Sequence, residues 1–250
     1  MNLKQSRVLI TGGGSGLGLA MVRGFLRDGA TLGVLEKNDR AREMLERDFR
    51  GQVKVWQCDV SDVTQVERAM AAISDEEFSP NVLINNAGII HSEPLINTLK
   101  KEGRRHSVEN WRGVLSANLD SVFYVTSSVV DQMLQKRVKG VVISISSISA
   151  SGNPGQTAYS ASKAGVNALT RTWAKELGGF GIRFAAIAPG FFETESSAAA
   201  LGEKGLAAIK SRVPLRSLGS ADDIYLAARS IVENQYVNGA VFSIDGGLTL

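Results

Sequence analysis

The chain has 250 residues, enough for one α/β domain that buries roughly three quarters of its unfolded surface. Its 28 basic and 25 acidic side chains give a formal charge of +3 and are scattered along the chain, which argues against a nucleic-acid-binding protein. Cys58 is the single cysteine, so an intrachain disulfide and a cysteine-cluster metal site are both excluded, and we predict no bound metal.

Short apolar runs alternate along the chain with longer amphipathic stretches, for example around residues 20–26 and 114–125. This alternation predicts βαβ units, and hence an α/β Rossmann-type fold: a doubly wound parallel sheet with helices on both faces, in a single domain over residues 1–250. Seven segments are predicted as strands: Arg7–Thr11, Thr31–Leu35, Val53–Gln57, Val82–Ile84, Val141–Ile145, Arg183–Ala188 and Ala240–Ile244.

Local signals predict two helix starts and two segments that interrupt the alternation of strands and helices. Ser220 with Asp223 has the pattern of a capping box, and Ser107 with Glu109 predicts another helix start. Residues 89–106 are polar, hold four basic side chains and are predicted to be a substrate loop. Residues 191–218, bracketed by Pro189-Gly190 and Pro214, are predicted to be a mobile lid.

Targeting signals are not evident in the sequence. The first apolar run, residues 8–10, leads straight into a glycine-rich segment and leaves no room for a signal peptide. No apolar stretch approaches the roughly 18 residues that a membrane-spanning helix requires. We therefore expect a cytoplasmic protein that acts on a small molecule and has neither a membrane nor a nucleic-acid partner.

The first strand is followed by a glycine-rich loop that is a candidate dinucleotide site. Glycines at 12, 16 and 18 stand between a strand and a helix, where backbone N–H groups and the helix dipole favour phosphate. The spacing alone also fits a structural glycine turn. Glu36 ends the second strand, where a carboxylate accepts hydrogen bonds from a ribose and repels a 2′-phosphate, so NAD is predicted over NADP. Lys37 and Arg40 would soften that repulsion.

Two further segments lie where a cofactor would cross the sheet edge. Asp59 follows the third strand and would meet the adenine amino group; the alternative is an ordinary helix cap. The segment 85–88, Asn-Asn-Ala-Gly, ends the fourth strand, and its alternative interpretation is a simple turn.

A serine, a tyrosine and a lysine carry the predicted chemistry. Tyr159 and Lys163 share one face if their segment is helical, and the ammonium then favours phenolate over phenol. Ser146, thirteen residues before Tyr159, would donate a hydrogen bond to a substrate oxygen while the tyrosine transfers the proton; nearby Ser144, Ser147 and Ser149 make this assignment depend on the spacing. Asn118 is predicted to hold a water that connects Lys163 to solvent, or to bond locally to the backbone.

In this order, the motifs resemble those of the short-chain dehydrogenase/reductase family over nearly the whole chain. The resemblance implies a Rossmann fold, a nicotinamide cofactor, a homotetramer and a proton relay through Asn118. It also implies that Lys163 contacts the nicotinamide ribose and that Thr194 lies near the carboxamide. The catalytic residues would be Asn118, Ser146, Tyr159 and Lys163. The NAD-binding residues would be Gly12, Ser15, Gly16, Leu17, Gly18, Glu36, Asp59, Val60, Asn86, Ala87, Gly88, Tyr159, Lys163, Pro189, Gly190 and Thr194.

Within the family the chain resembles 3-oxoacyl carrier-protein reductases, with two departures. Those enzymes usually prefer NADPH, whereas Glu36 favours NAD; and of the two arginines that dock the carrier protein, only Arg137 aligns, the other position being Phe180. Residues 89–106 resemble the insertion of a mitochondrial NAD-dependent 3-hydroxyacyl-CoA dehydrogenase. Its basic residues would then meet a coenzyme A phosphate or form a solvated loop.

The predicted function is an NAD-dependent oxidoreductase that interconverts a secondary alcohol and a ketone, with a 3-hydroxyacyl or 3-oxoacyl thioester as one substrate class. Steroids, sugars and cyclic diols remain alternatives. A non-catalytic dinucleotide sensor is a second alternative, and the complete Ser-Tyr-Lys set argues against it. Acyl transfer by Ser160-x-x-Lys163 is a third, but the accompanying Ser-Asp-Asn and Lys-Thr-Gly motifs are missing.

Overall fold

Seven parallel strands form the central sheet in the computed structural model of the chain, in the order β3-β2-β1-β4-β5-β6-β9. Thr194 and the side chains of residues 195–201, 203 and 204 are outside the described part of the structure. The strands are β1 Arg7–Thr11, β2 Thr31–Glu36, β3 Val53–Gln57, β4 Val82–Asn85, β5 Gly140–Ile145, β6 Ile182–Pro189 and β9 Ala240–Ile244. All seven predicted strands are confirmed, and several extend one residue further than predicted. The two-residue strands β7 Phe192–Glu193 and β8 Gly219–Ser220, which pair with each other, were not predicted.

Helices cover both faces of the sheet. They are α1 Gly16–Arg27, α2 Asp39–Phe49, α3 Val63–Asp75, α4 Val108–Leu115, α5 Ser121–Gln135, α6 Thr157–Leu177, α7 Glu195–Arg212 and α8 Ala221–Glu233. A single π-helical turn, Ser116–Asp120, joins α4 to α5. The helix α7 is interrupted at Gly202, which has a φ of 61°. Within the described residues no helix is long and apolar enough to cross a membrane.

Two apolar layers fill the space between the sheet and its helices. One layer includes Phe25 of α1 and Tyr225 of α8, whose rings meet edge to face at 5.1 Å between centroids. The other includes Ile73 of α3 and Val129 of α5. The close approach of α1 and α8 requires Gly24, because a Cβ there would lie 2.4 Å from the Tyr225 ring. The inner strands are buried on both faces, as parallel strands with helices on each side must be, whereas the edge strands β3 and β9 are partly exposed.

Both predicted helix starts are confirmed. Ser220 and Asp223 form a reciprocal capping box at the start of α8. The Ser107 side chain accepts a hydrogen bond from the backbone N–H of Asn110 and so caps α4. These caps satisfy backbone donors that the first helical turn leaves without partners.

Successive strands are added to one side of the sheet up to β3 and to the other side from β4 onward, so the strand order reverses between β1 and β4. The strands on one side of this point run β1, β2, β3, and those on the other side run β4, β5, β6. The loops that follow β1 and β4 therefore leave in opposite directions and open a crevice at the carboxyl edge of the sheet. In open α/β sheets a crevice at this position is the usual place for a ligand.

Candidate active site

The glycine-rich loop after β1 is held against the end of β4. Thr11 Oγ1 accepts hydrogen bonds from the backbone N–H groups of Asn86 and Ala87, both at 3.0 Å, and Asn86 Nδ2 donates to the Gly12 carbonyl at 2.8 Å. Gly18 is required at this junction, since a Cβ there would lie 2.1 Å from the Gly12 oxygen. The predicted segments 11–18 and 85–88 thus form one unit.

The start of α1 fits the phosphates of a dinucleotide. Gly16 has a φ of 49°, and a Cβ at that position would meet no atom within 4 Å, so the loop faces open space there. Ser15 is the N-cap residue, but its side chain makes no capping hydrogen bond, and Leu17 follows in the first turn. The N–H groups of this turn are therefore left without a capping side chain at a helix end that favours anions.

Glu36 lies at the buried end of β2 and faces the glycine-rich loop. Its Oε2 accepts a hydrogen bond from the Gly14 N–H at 3.0 Å, and its Oε1 accepts one from the Asn38 N–H at 3.1 Å. The carboxylate is thereby fixed by two backbone donors beside the loop. A fixed negative charge at this strand end fits a ribose with free hydroxyls better than one with a 2′-phosphate.

Asp59 and Val60 follow β3 on the same edge. Asp59 accepts hydrogen bonds from the Ser61 N–H at 3.0 Å and from the Ser61 hydroxyl at 2.6 Å, and its other oxygen lies 3.2 Å from Lys37 Nζ. Burial raises the pKa of Asp59, but these hydrogen bonds and the Lys37 charge outweigh burial and lower it. Val60 is buried. Lys37 is thus paired with Asp59.

Tyr159 and Lys163 lie on α6 as predicted, one helical turn apart, and both are buried. Lys163 Nζ is 5.8 Å from the centre of the Tyr159 ring and donates a hydrogen bond to the Ile145 carbonyl at 2.8 Å. Burial lowers the pKa of Lys163 to about 8. The pKa of Tyr159 is raised by burial, although a hydrogen bond with the Ser147 side chain partly opposes this. In the protein alone burial therefore dominates, opposite to the lowering that the Tyr-Lys spacing predicted.

The two serines after β5 face different partners. The Ser146 hydroxyl donates to the Lys163 carbonyl at 3.3 Å, and the Ser146 N–H donates to the Ile187 carbonyl at 2.7 Å. The pKa of Tyr159 is affected by the side chain of Ser147 and not by that of Ser146. Ser147 has an extended backbone (φ −166°, ψ 155°), and successive side chains on extended backbone point to opposite sides. The hydroxyls of these two adjacent serines therefore point to different sides of the chain.

Asn118 lies in the π-helical turn and reaches across to the loop after β4. Its Oδ1 accepts from the Ile89 N–H at 2.7 Å, and its Nδ2 donates to the Ile89 carbonyl at 2.8 Å. Gly88 makes room for this contact, because a Cβ there would lie 2.7 Å from Asn118 Oδ1 and 3.7 Å from Lys163 Nζ. Asn118 thus fixes the first residue of the loop 89–106 beside the buried lysine.

The predicted residues after β6 are only partly described. Pro189 ends β6, and the Gly190 N–H donates to the Ile244 carbonyl at 2.9 Å. Gly190 is required by packing, since a Cβ would lie 2.8 Å from Asp245 Cα. Thr194 lies outside the described residues.

Glu93 was not predicted from the sequence. Its carboxylate accepts hydrogen bonds from Asn110 Nδ2 and from the Ser107 N–H, both at 3.0 Å, and lies 3.1 Å from His91 Nε2 and 3.4 Å from His106 Nδ1. The hydrogen bonds from Asn110, His91 and Ser107 lower the pKa of Glu93 to about 2. The only sequence signal was that both histidines of the chain lie within this loop.

Comparison with known proteins agrees with this geometry. The family model for short chain dehydrogenase matches residues 6–204. A 3-oxoacyl-[acyl-carrier-protein] reductase from Thermotoga maritima is 38% identical, with 100% of both chains covered. A (3R)-3-hydroxyacyl-CoA dehydrogenase from Rattus norvegicus is 31% identical, with 99% of this chain and 98% of the relative covered. A solved structure of a putative gluconate dehydrogenase from Agrobacterium tumefaciens has a TM-score of 0.90 at 26% identity, covering 98% of this chain and 96% of the other.

The sheet order of this chain is that of a doubly wound α/β fold, and the family model matches most of the chain. The chain therefore belongs to the short chain dehydrogenase family and is an oxidoreductase that acts on CH–OH donors.

Proposed function

We propose that the protein is an NAD-dependent oxidoreductase that interconverts a secondary alcohol and a ketone, with Tyr159 as the acid/base. The observation that carries this proposal is the buried pair of Tyr159 and Lys163, in which Lys163 Nζ lies 5.8 Å from the centre of the Tyr159 ring. When bound, the nicotinamide supplies or accepts the hydride. Tyr159 exchanges the proton with the substrate oxygen, and Lys163, with its pKa lowered to about 8, supplies positive charge beneath the ring when protonated.

Ser147 is proposed as the hydroxyl that donates to the substrate oxygen, in place of Ser146. The side chain of Ser147 lowers the pKa of the Tyr159 phenol, whereas Ser146 donates to the Lys163 carbonyl and is therefore proposed to position α6 against β5. Asn118 is proposed to act through the loop backbone at Ile89, which it holds next to Lys163.

NAD is proposed as the cofactor because Glu36 is fixed beside the glycine-rich loop. We propose that the NAD site is also lined by Gly12, Ser15, Gly16, Leu17, Gly18, Asp59, Val60, Asn86, Ala87, Gly88, Pro189, Gly190 and Thr194. The ratio of kcat/KM for NAD to that for NADP measures this directly. We expect wild type to favour NAD and Glu36→Gln to lower the ratio by about 10-fold or more, since a charged repulsion is removed. A preference of the wild type for NADP would refute the assignment.

A paired substitution tests the catalytic residues. Tyr159→Phe should lower kcat by about 100-fold or more while NAD still binds, because a general acid/base contributes 10²–10⁴-fold in rate. Ser147→Ala should lower kcat by about 100-fold, as the loss of an oxyanion donor does, and Ser146→Ala should lower it much less. Unchanged turnover in Tyr159→Phe would refute the mechanism. A larger loss in Ser146→Ala than in Ser147→Ala would restore the first assignment.

For the substrate we propose a 3-hydroxyacyl or 3-oxoacyl thioester. Two relatives that match over nearly their full lengths carry names of enzymes for such thioesters, one linked to a carrier protein and one to coenzyme A. Arg137 is exposed, but Phe180, also exposed, occupies the position of the second carrier-docking arginine. Coenzyme A is therefore a better candidate than a carrier protein for the group that carries the acyl chain. Other relatives carry the names sorbitol-6-phosphate 2-dehydrogenase and 3beta-hydroxysteroid dehydrogenase, so a screen should include polyols and steroids.

A cytoplasmic homotetramer is proposed from the family resemblance. In the described structure β9 forms one edge of the sheet with β6 as its single partner, and an edge strand of this kind is available for association. Light scattering during gel filtration should give four times the 26.7 kDa of one chain. A monomeric mass would refute the tetramer.

A further inference from the structure

Residues 95–106 form a short hairpin, which we call the basic hairpin. Ile96 and Arg105 are antiparallel partners, the Asn97 N–H donates to the Arg104 carbonyl at 2.7 Å, and the His106 N–H donates to the Leu95 carbonyl at 2.9 Å. Four basic side chains lie at its exposed end: Lys100, Lys101, Arg104 and Arg105. The backbone pairing gives these cations a common location.

The positive charge of the basic hairpin is not balanced by acidic side chains within the hairpin. Its four cations and the single carboxylate of Glu102 leave a formal +3, equal to the net charge of the whole chain, so the remaining residues balance to zero. Within the described structure none of the four cations makes an ion pair. Clustered like charges repel, and a bound anion relieves that repulsion.

The base of the hairpin is attached to the rim of the candidate active site. The preceding chain is fixed at Ile89 by Asn118, and Glu93 pairs with Gln156, which lies three residues before Tyr159. The Glu93 carboxylate ties the same segment to the first turn of α4. From Glu93 to Lys100 seven residues span at most about 25 Å. The cations thus lie within reach of a substrate whose reacting carbon is at Tyr159, but at its far end.

Apolar side chains stand beside the cations. Ile90 is 76% exposed, Leu95 67% and Leu99 95%. Solitary exposed apolar residues are common, but three within ten residues at the rim of a site form a surface suited to an aliphatic chain. The surface therefore offers apolar contacts beside the positive charge.

We propose that the basic hairpin binds a phosphate group carried by the substrate, remote from the carbon that is oxidised or reduced. The proposal deepens the proposed function and rests on it. Two sources share this chemistry: the phosphates of a coenzyme A thioester and the phosphate of a sugar phosphate. Lysine and arginine bind phosphate through charge-assisted hydrogen bonds, whose strength depends on salt concentration.

Binding without turnover tests the hairpin separately from the chemistry. The full-length protein, saturated with NAD⁺ so that nucleotides do not occupy the cofactor site, is titrated calorimetrically with four probes: coenzyme A, pantetheine, fructose 6-phosphate and fructose. The same titrations use the double variants Lys100→Glu/Lys101→Glu and Arg104→Glu/Arg105→Glu. The matched control is Lys4→Glu/Arg68→Glu, which reverses two exposed charges outside the hairpin.

We expect one phosphate-bearing probe to bind the wild type more tightly than its phosphate-free counterpart. The hairpin variants should weaken that binding by about 10- to 100-fold, the control by less than about 2-fold, and added salt should weaken wild-type binding. Preference for coenzyme A identifies a thioester, and preference for fructose 6-phosphate a sugar phosphate. The inference is overturned if the affinity does not depend on the phosphate of the probe, or if it is unchanged in the hairpin variants. A phosphopantetheinylated carrier protein is titrated as a fifth probe; an effect of charge reversal seen with this probe alone also overturns the inference, because the hairpin would then be a protein-docking surface.

The proposed function has its own readout, so the two failures are distinguishable. Wild-type turnover of a phosphate-free 3-oxoacyl thioester, lost in Tyr159→Phe, supports the oxidoreductase mechanism whatever the hairpin does. If that turnover is present and the phosphate probes do not discriminate, only the inference on the basic hairpin is wrong.

Discussion

The burial of Lys163 should make the stability of the protein depend on pH, because burial lowers the pKa of its amine. Its ammonium is buried and donates to the Ile145 carbonyl at 2.8 Å, and burial lowers its pKa from 10.5 to about 8. In the unfolded chain the same amine keeps its ordinary pKa. Between about pH 8 and 10.5 the unfolded state therefore binds more protons than the folded state, and stability rises with pH.

The sign and size of the effect follow from the two pKa values. Below about pH 8 the folded protein carries the full cost of a buried charge, and above 10.5 both states hold a neutral amine and the cost is gone. At about 1.4 kcal/mol per pH unit the whole change is about 3.5 kcal/mol, of which about 2.5 kcal/mol falls between pH 7 and pH 10. Lys163→Met has no amine at this position and lacks this dependence.

Urea unfolding followed by tryptophan fluorescence between pH 7 and pH 10 measures the change. The free energy of unfolding of the wild type should rise relative to that of Lys163→Met by about 2.5 kcal/mol over this range. Any pH-independent cost of losing the contact with Ile145 cancels in the comparison. Lys175→Met, on the exposed side of α6, is the control and should run parallel to the wild type. Parallel curves for Lys163→Met would refute the burial argument.

Three further substitutions test the supports of the site. Gly18→Ala places a Cβ 2.1 Å from the Gly12 oxygen and should abolish NAD binding in a fluorescence titration, whereas wild-type affinity would show that the loop can relax. Gly113→Ala meets no atom within 4 Å in the interior of α4 and should raise the free energy of unfolding by about 0.5–1 kcal/mol; a decrease would contradict the helix propensity argument. Glu93→Ala removes the hydrogen bonds that hold the base of the basic hairpin, so it should accelerate tryptic cleavage in the hairpin several-fold and raise KM more than it lowers kcat. The control is Glu67→Ala, which changes an exposed glutamate outside the hairpin. An unchanged cleavage rate in Glu93→Ala would refute this role.

The sequence predicted the inner strands because parallel strands buried on both faces are near-continuous apolar runs, and it predicted the edge strand β3 from its alternating pattern. The two-residue strands β7 and β8 were missed since so short a pairing leaves no periodic pattern. Helix starts at Ser107 and Ser220 were predicted because capping is a contact between residues two or three positions apart.

The choice of the catalytic serine cannot be made from spacing alone. Ser146 stays the prediction from spacing and Ser147 is our proposal, because the orientation of adjacent hydroxyls depends on where β5 ends and how its loop leaves the sheet. The extended backbone of Ser147 turns its side chain opposite to that of Ser146, and the Ser147 side chain lowers the pKa of Tyr159. The burial that raises the pKa of Tyr159 in the protein alone is likewise a property of the packed site.

The sequence by itself determined the order of strands and helices, the glycine-rich loop and the pairing of Tyr159 with Lys163 one helical turn apart. Each of these depends on residues close together in the chain, so local geometry dictates it. The tertiary structure decided which serine side chain affects the pKa of the phenol, the support of the loop 89–106 by Asn118 and Glu93, and the burial that lowers the pKa of Lys163. These contacts join segments that are distant in sequence, and only the folded chain brings their atoms within bonding distance.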